Sequence, residues 1–253
     1  MRYVWAIFRR ETRAYSVSLM SYTAVTVFLG LQGVLFWLAL RNYQRIHFQA
    51  VQDPRIEVPT AGFLAQSFLA SDIVWPLLLI VPLLTMQLLA GEKQRHTAEL
   101  LLTAPMTTRH VVLGKFFGSV AMLVVMLLLM GWIPLVLRIW GNADPAPIAV
   151  GFLGALLYGS FLMALGLFAS SLTESPFQAA LLSLLLLAGV FASGEFVQYL
   201  PFVGDGLVQF TPMANLGILA RGVLDTQSVI YFVSLTVMMV ELTARTLDSQ
   251  RWR

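Results

Sequence analysis

The side chains that could do chemistry in this sequence do not group into a catalytic arrangement. The three histidines are scattered, which argues against a His-rich metal site, and there is no cysteine to act as a ligand or nucleophile. Gly114-Lys115 is followed by Phe116 and lacks the upstream glycine of a phosphate-binding loop. No His-Glu-x-x-His or Gly-x-Ser-x-Gly pattern occurs. We predict no catalytic, cofactor-binding or metal-binding residue, and a chain that is not an enzyme.

The most informative stretch of the sequence is residues 92–105. Its first half is charged, and a short piece with Ala98, Leu101 and Leu102 at helical spacing follows until Pro105. A helix of about six to eight residues is too short to cross a membrane. Such an element could present a surface to a partner protein, and an ordinary connecting loop is the alternative.

The elements around this segment must be membrane spans. The chain has 253 residues, of which 58% are hydrophobic and only 11% charged, too few charges for a water-soluble globule. About 20 apolar residues of helix cross the hydrocarbon core, and only helices or closed barrels can do so. We predict an all-α polytopic membrane protein, a single transmembrane domain over 1–253, with six spans at about 17–40, 71–91, 112–138, 146–172, 176–199 and 226–245.

Basic residues predict the orientation of these spans. The side that holds both termini carries 11 of the 16 Lys and Arg residues, and the opposite side carries Arg41, Arg45, Arg55, Arg138 and Arg221. The positive-inside rule makes the richer side cytoplasmic. We therefore expect a multi-pass protein of the bacterial inner membrane with both termini in the cytoplasm. No basic patch with interleaved aromatic residues suggests a nucleic-acid partner.

The N-terminal segment is predicted to be an amphipathic helix on the inner leaflet of the lipid bilayer. Val4, Ile7, Phe8, Ala14 and Tyr15 share one face, opposite the basic residues. Its charged residues of interest are Arg9, Arg10, Glu11 and Arg13. Glu11 interrupts the apolar face, and we expect a nearby arginine as its partner.

The region between spans five and six is predicted to be broken. Pro201, Gly204, Gly206 and Pro212 interrupt it, which fits re-entrant half-helices over about 200–222 at the outer side. Glu195 precedes them. An ionisable group at this depth is a functional candidate, here for an outer gate. A polar cap at the outer end of span five is the alternative.

These residues resemble the signature of type-2 ABC exporter permeases (ABC-2 type transporter transmembrane proteins). In that family an acidic-basic turn leads into Thr-x-Glu-Leu-Leu-Leu-x-x-Pro, as over Leu84–Pro105 here, and Gly-Lys-Phe then opens span three. The tail from Arg221 is similar to the gliding-motility subgroup. His96 and Ala98 depart from the family, which often has glycine and an apolar β-branched residue there.

The resemblance implies a type V ABC exporter fold and a permease whose energy comes from ATP hydrolysis by other subunits. Two cytosolic ABC ATPase subunits would bind ATP and Mg²⁺, and a second copy or a sister permease would complete the complex. The segment from about 92 to 105 would be the coupling helix, and the turn at Glu174 a smaller second contact. The implied ATPase-coupling residues are Glu92, Lys93, Arg95, His96, Thr97, Glu99, Leu101, Leu102, Pro105 and Glu174.

Two other functions remain open at the level of sequence. The complex could relay ATP-driven motion to a separate accessory membrane or periplasmic protein without translocating anything. Alternatively, the chain could be a membrane-embedded enzyme or scaffold unrelated to ATP. The sequence does not identify a transported substrate. The spans lack strongly basic residues, which gives no support to a highly anionic substrate.

Overall fold

The computed structural model describes residues 2–52, 68–95, 107–141, 144–198 and 209–250. All regular structure in these ranges is helical. The predicted coupling residues His96, Thr97, Glu99, Leu101, Leu102 and Pro105 lie outside the described residues, as does the part of the predicted re-entrant region over 200–208.

Ten α-helices and one short π-helix, Phe68–Asp72, make up the described chain. The α-helices are α1 Arg2–Val17, α2 Leu19–Gln52, α3 Val74–Thr85, α4 Ala90–Gln94, α5 Thr108–Met130, α6 Trp132–Gly141, α7 Pro145–Leu172, α8 Pro176–Gln198, α9 Pro212–Ala220 and α10 Thr226–Gln250.

Six segments are long and apolar enough to cross a membrane: Leu19–Val51, Val74–Gln94, Thr108–Gly141, Pro145–Leu172, Pro176–Gly194 and Thr226–Gln250. They correspond one to one with the predicted spans. The prediction of an all-α polytopic membrane protein is therefore confirmed.

The first span belongs to a helix that is longer than the bilayer requires. Helix α2 has 34 residues, about 51 Å at 1.5 Å per residue, whereas the hydrocarbon core is about 30 Å thick. The helix continues 12 residues past the predicted span end because Arg41–Gln52 contains no glycine or proline to stop it.

Two of the spans are interrupted. In span two, α3 ends at Thr85 and the chain turns before α4 begins at Ala90. Glu92 and Lys93 therefore lie on a short helix rather than in a loop. In span three, Gly131 separates α5 from α6. Both interruptions leave backbone groups that need partners within the protein.

Helix α7 lies at the centre of the bundle. It packs against α3, α5, α8, α9 and α10. The small residues Gly151, Ala155 and Gly159 are spaced four apart on this helix and are all buried, which lets neighbouring helices approach closely. The core around them is apolar, with Tyr158 and Phe232 in edge-to-face contact at 5.9 Å between ring centroids.

At the opposite end of the bundle from α1, α9 packs on α7 and leads into α10 through Gly222, which has a φ of 81°. Asp225 caps α10, because its Oδ2 accepts from the Ser228 hydroxyl at 3.0 Å and the Ser228 N–H at 3.1 Å. The Ser228 hydroxyl bond holds the pKa of Asp225 below its usual value. Glu195 lies within α8, and its side chain is outside the described residues.

Candidate functional site

The ends of five helices on the side that the basic residues predict to be cytoplasmic meet around the start of the predicted coupling segment. We call this the inner end of the bundle. Helix α1 and the last turns of α10 both contact the beginning of α5, so the two termini lie at the same end of the bundle. Helix α4 and the end of α7 complete this group. Polar and charged contacts join these elements, in contrast to the apolar core above them.

A buried lysine is the centre of the charged contacts. Lys115 on α5 is 2% exposed, and its Nζ lies 2.9 Å from Glu11 Oε1 and 2.9 Å from Glu92 Oε1. Arg10 Nη2 lies 2.8 Å from the same Glu92 oxygen. Two carboxylates and two cations thus join α1, α4 and α5. A buried charge needs such partners, since leaving one uncompensated is costly.

Two glycines on α5 provide the space for this arrangement. A Cβ at Gly114 would lie 2.7 Å from Ile7 Cβ, and a Cβ at Gly118 would lie 2.7 Å from Glu11 Cβ. Because both positions lack a side chain, α1 can pack closely enough to bring Glu11 to Lys115.

The structure corrects one detail of the N-terminal helix. The expected arginine partner of Glu11 is wrong, because Lys115 occupies that role. Sequence spacing within α1 could not reveal a cation located on another helix. Arg9 and Arg13 are exposed, consistent with their predicted side of the helix.

Tyr15 links α1 to the end of α3 by a hydrogen bond. Its hydroxyl donates to the Leu84 carbonyl oxygen at 3.2 Å. Burial, with a smaller contribution from Glu11, raises the pKa of Tyr15, so the phenol stays protonated and keeps this bond.

The end of α7 holds the other side of α4. Ser170 Oγ accepts from the backbone N–H of Leu89 at 3.2 Å and of Ala90 at 3.0 Å. The Lys93 ammonium and the Gln250 side chain both donate to the Ser171 carbonyl oxygen. Span four, α4 and the C-terminal helix are therefore joined at one point.

Helix α10 is joined to the start of span three. Glu241 Oε1 lies 2.6 Å from Arg109 Nη2 and 3.3 Å from Arg245 Nε. Glu241 and Arg245 lie four residues apart on α10 and pair there, and Arg109 is an additional partner of Glu241. The Thr108 hydroxyl donates to Asp248.

The predicted coupling residues in the described part divide into two groups. Arg95 and Glu174 are exposed at the inner end of the bundle, and Lys93 lies within electrostatic range of Glu174. Glu92 points inward to Lys115 and Arg10. The structure thus brings the start of the coupling segment next to the turn at Glu174, although two spans separate them in sequence.

Sequence reasoning missed Lys115 and Ser170 as members of this site. From the sequence, Lys115 counts only as one of the basic residues on the predicted cytoplasmic side. A signal is nevertheless present, because two glycines four residues apart, Gly114 and Gly118, flank this cation. Ser170 is an unremarkable serine in an apolar run, and nothing in its surroundings in sequence indicates a partner in span two.

The arrangement connects five helices. Its bonds are ion pairs and backbone caps, each already satisfied within the chain. Within the described ranges, no group of three His, Asp or Glu side chains could hold a metal ion.

Comparison with known proteins adds one finding. The sequence profile of a family described as "ABC-2 family transporter protein" matches residues 6–200, which is well over half of the chain and runs from within α1 to the end of α8. No curated protein matches the chain.

Proposed function

The chain belongs to the ABC-2 family of transporter proteins and is a permease component of an ABC transporter, and we propose that it couples ATP hydrolysis by two separate cytosolic ATPase subunits to export across the inner membrane. In this proposal ATP and Mg²⁺ bind to the ATPase subunits. A second copy or a sister permease completes the complex, and the gliding-motility type is the subgroup we favour.

The observation that carries the proposal is the joined inner end of the bundle. The segment 96–106 lies between Arg95 and Thr107 in sequence, and these two residues are the described ones that flank it. On its N-terminal side it follows α4. Lys115 and Arg10 hold α4 through Glu92. Ser170 holds its Ala90 N–H, and the Ser171 carbonyl oxygen accepts from its Lys93. A force applied to this segment would therefore reach spans three and four and helix α1 together, as coupling requires.

Exposed charges at the same end would form the contact with the ATPase. Arg95 and Glu174 are exposed and have the sign and position for ion pairs with a partner. Glu92 is less suited to this contact because its carboxylate already pairs with Lys115 and Arg10. Charge reversal at Glu92 would disturb the fold as well as the coupling.

The test uses the complex reconstituted in proteoliposomes. Arg95→Glu and Glu99→Lys should lower permease-dependent stimulation of ATP hydrolysis about fivefold or more, the range expected for coupling between sites. Arg221→Glu, the same change at an exposed position at the other end of the bundle, should have no effect. Normal stimulation in the first two variants would refute the coupling assignment. Stimulation without any transported cargo would favour the relay of motion to an accessory protein.

A further inference from the structure

Span two is interrupted where it reaches the inner end of the bundle. The Met86 N–H donates to the Pro82 carbonyl oxygen at 3.0 Å, and Leu88 N–H donates to Thr85 at 3.1 Å, which closes the last turn of α3. The carbonyl of Met86 and the N–H groups of Leu89 and Ala90 then need partners from outside the helix.

One hydroxyl from span four meets both sides of this break. Ser170 Oγ accepts from Leu89 N–H and Ala90 N–H, at 3.2 and 3.0 Å, and donates to the Met86 carbonyl oxygen at 3.3 Å. Ser170 is fully buried. A serine hydroxyl has one proton to donate and two lone pairs to accept with, so these three bonds use its whole capacity.

The far end of α4 is attached to the same place. The Lys93 ammonium donates to the carbonyl oxygen of Ser171, and Glu174 lies within electrostatic range of Lys93. One turn earlier on α7, Gly166 lies against Thr85, since a Cβ there would be 3.0 Å from Thr85 Cβ. Thr85 is the last residue of α3, so α3 also packs on span four at the point where the break begins. Helix α4 is therefore held to span four at both ends, and its continuity with α3 is broken.

We infer that the break after Thr85 is a hinge, that Ser170 is its positioning residue, and that α4 moves with the inner end of span four rather than with α3. The inference rests on the proposed function, because the motion in question is the one delivered to the segment 96–106 by the ATPase. Force from that segment passes through α4 into span four, and α3 follows only across the hinge.

The chain has no cysteine, so spin labels can be introduced at chosen pairs without background. Gln94 with Leu172 reports on α4 against span four, and Gln94 with Leu79 reports on α4 against α3; all three positions are exposed. Labelled chains are diluted with unlabelled ones in the ATPase complex, and distances are measured by pulsed electron resonance with and without ATP.

The expected result is an unchanged Gln94–Leu172 distance and a changed Gln94–Leu79 distance when ATP binds. A changed first distance with a constant second one would overturn the inference, as would two constant distances. A chain that does not assemble with an ATPase at all would refute the proposed function instead, so the two failures can be told apart.

Ser170→Ala tests the residue itself, with Ser171→Ala as the matched control. The Ser171 hydroxyl donates only within its own helix, to the Phe168 carbonyl oxygen, so its loss should change nothing. Ser170→Ala should broaden the Gln94–Leu172 distance distribution and lower ATPase stimulation about fivefold or more while the complex still assembles. A narrow distribution with full stimulation in Ser170→Ala would show that the hydroxyl does not position the hinge.

Discussion

Lys115 illustrates how a charge can be kept inside a membrane protein. It lies almost wholly buried between two carboxylates, and Arg10 balances the second of them. Such groups are expensive to bury, and their net contribution to stability is small when all partners are present. Removing one partner is different, because the remaining charges then lose their compensation.

We predict that Lys115→Met lowers the free energy of unfolding by about 3–5 kcal/mol, since Glu11 and Glu92 would be left without their shared cation. Arg109→Met, which removes a cation from an exposed pair with Glu241, should cost far less. Unfolding of the detergent-solubilised chain, followed by circular dichroism, measures both.

A triple variant separates lost charge compensation from lost packing. Glu11→Gln and Glu92→Gln combined with Lys115→Met remove the uncompensated carboxylates and should restore most of the stability. If Lys115→Met proves as mild as Arg109→Met, the buried ion network does not hold the three helices together.

At the scale of elements, the helices of this bundle approach one another through glycines. Gly114 and Gly118 admit α1, and Gly154 admits α9 to the central helix α7. In lipid there is little hydrophobic drive between helices, so close packing of this kind carries much of the association energy. The position of each glycine therefore decides which helices meet.

Gly154→Ala should lower the free energy of unfolding by about 1–3 kcal/mol, because overpacking forces neighbours apart. The new Cβ would lie 2.7 Å from Leu219 Cβ, an atom that no side-chain rotation can move away. Thermal unfolding of the purified chain gives the comparison.

Gly189→Ala is the control, with no atom within 4 Å of the added Cβ. It should leave stability unchanged or raise it by up to about 1 kcal/mol, the gain of alanine over glycine within a helix. Equal effects of the two substitutions would mean that α7 and α9 are not closely packed at this point.

At the scale of the whole molecule, polar contacts gather at one end. There, α1, α4 and the ends of α5, α7 and α10 exchange ion pairs and backbone caps, whereas the remainder is an apolar bundle. This end is also the one with the excess of basic residues, which the positive-inside rule assigns to the cytoplasm. Both termini should therefore face the cytoplasm.

Single cysteines in the cysteine-free chain test this orientation. In intact cells, a membrane-impermeant maleimide should label Gln49→Cys and should label Ser249→Cys only after permeabilisation, because both positions are exposed at opposite ends. The reverse pattern would invert the topology and place the coupling segment outside the cell, beyond the reach of any cytosolic ATPase.

Sequence by itself determined the six spans, the all-helical fold and the likeness to a permease family. These follow from local properties: an uninterrupted apolar run about 20 residues long must be a helix in lipid, wherever its neighbours lie. The Glu241–Arg245 pair was also predictable, because residues four apart on a helix share a face.

Only the tertiary structure decided which polar groups meet. Glu11 and Lys115 are 104 residues apart, and Ala90 and Ser170 are 80 apart. No spacing rule connects such positions, since their contact depends on how whole helices pack. The same packing makes the interruption in span two a junction with span four rather than a simple bend. The backbone groups that the interruption leaves without helical partners bond to Ser170 on that neighbouring helix.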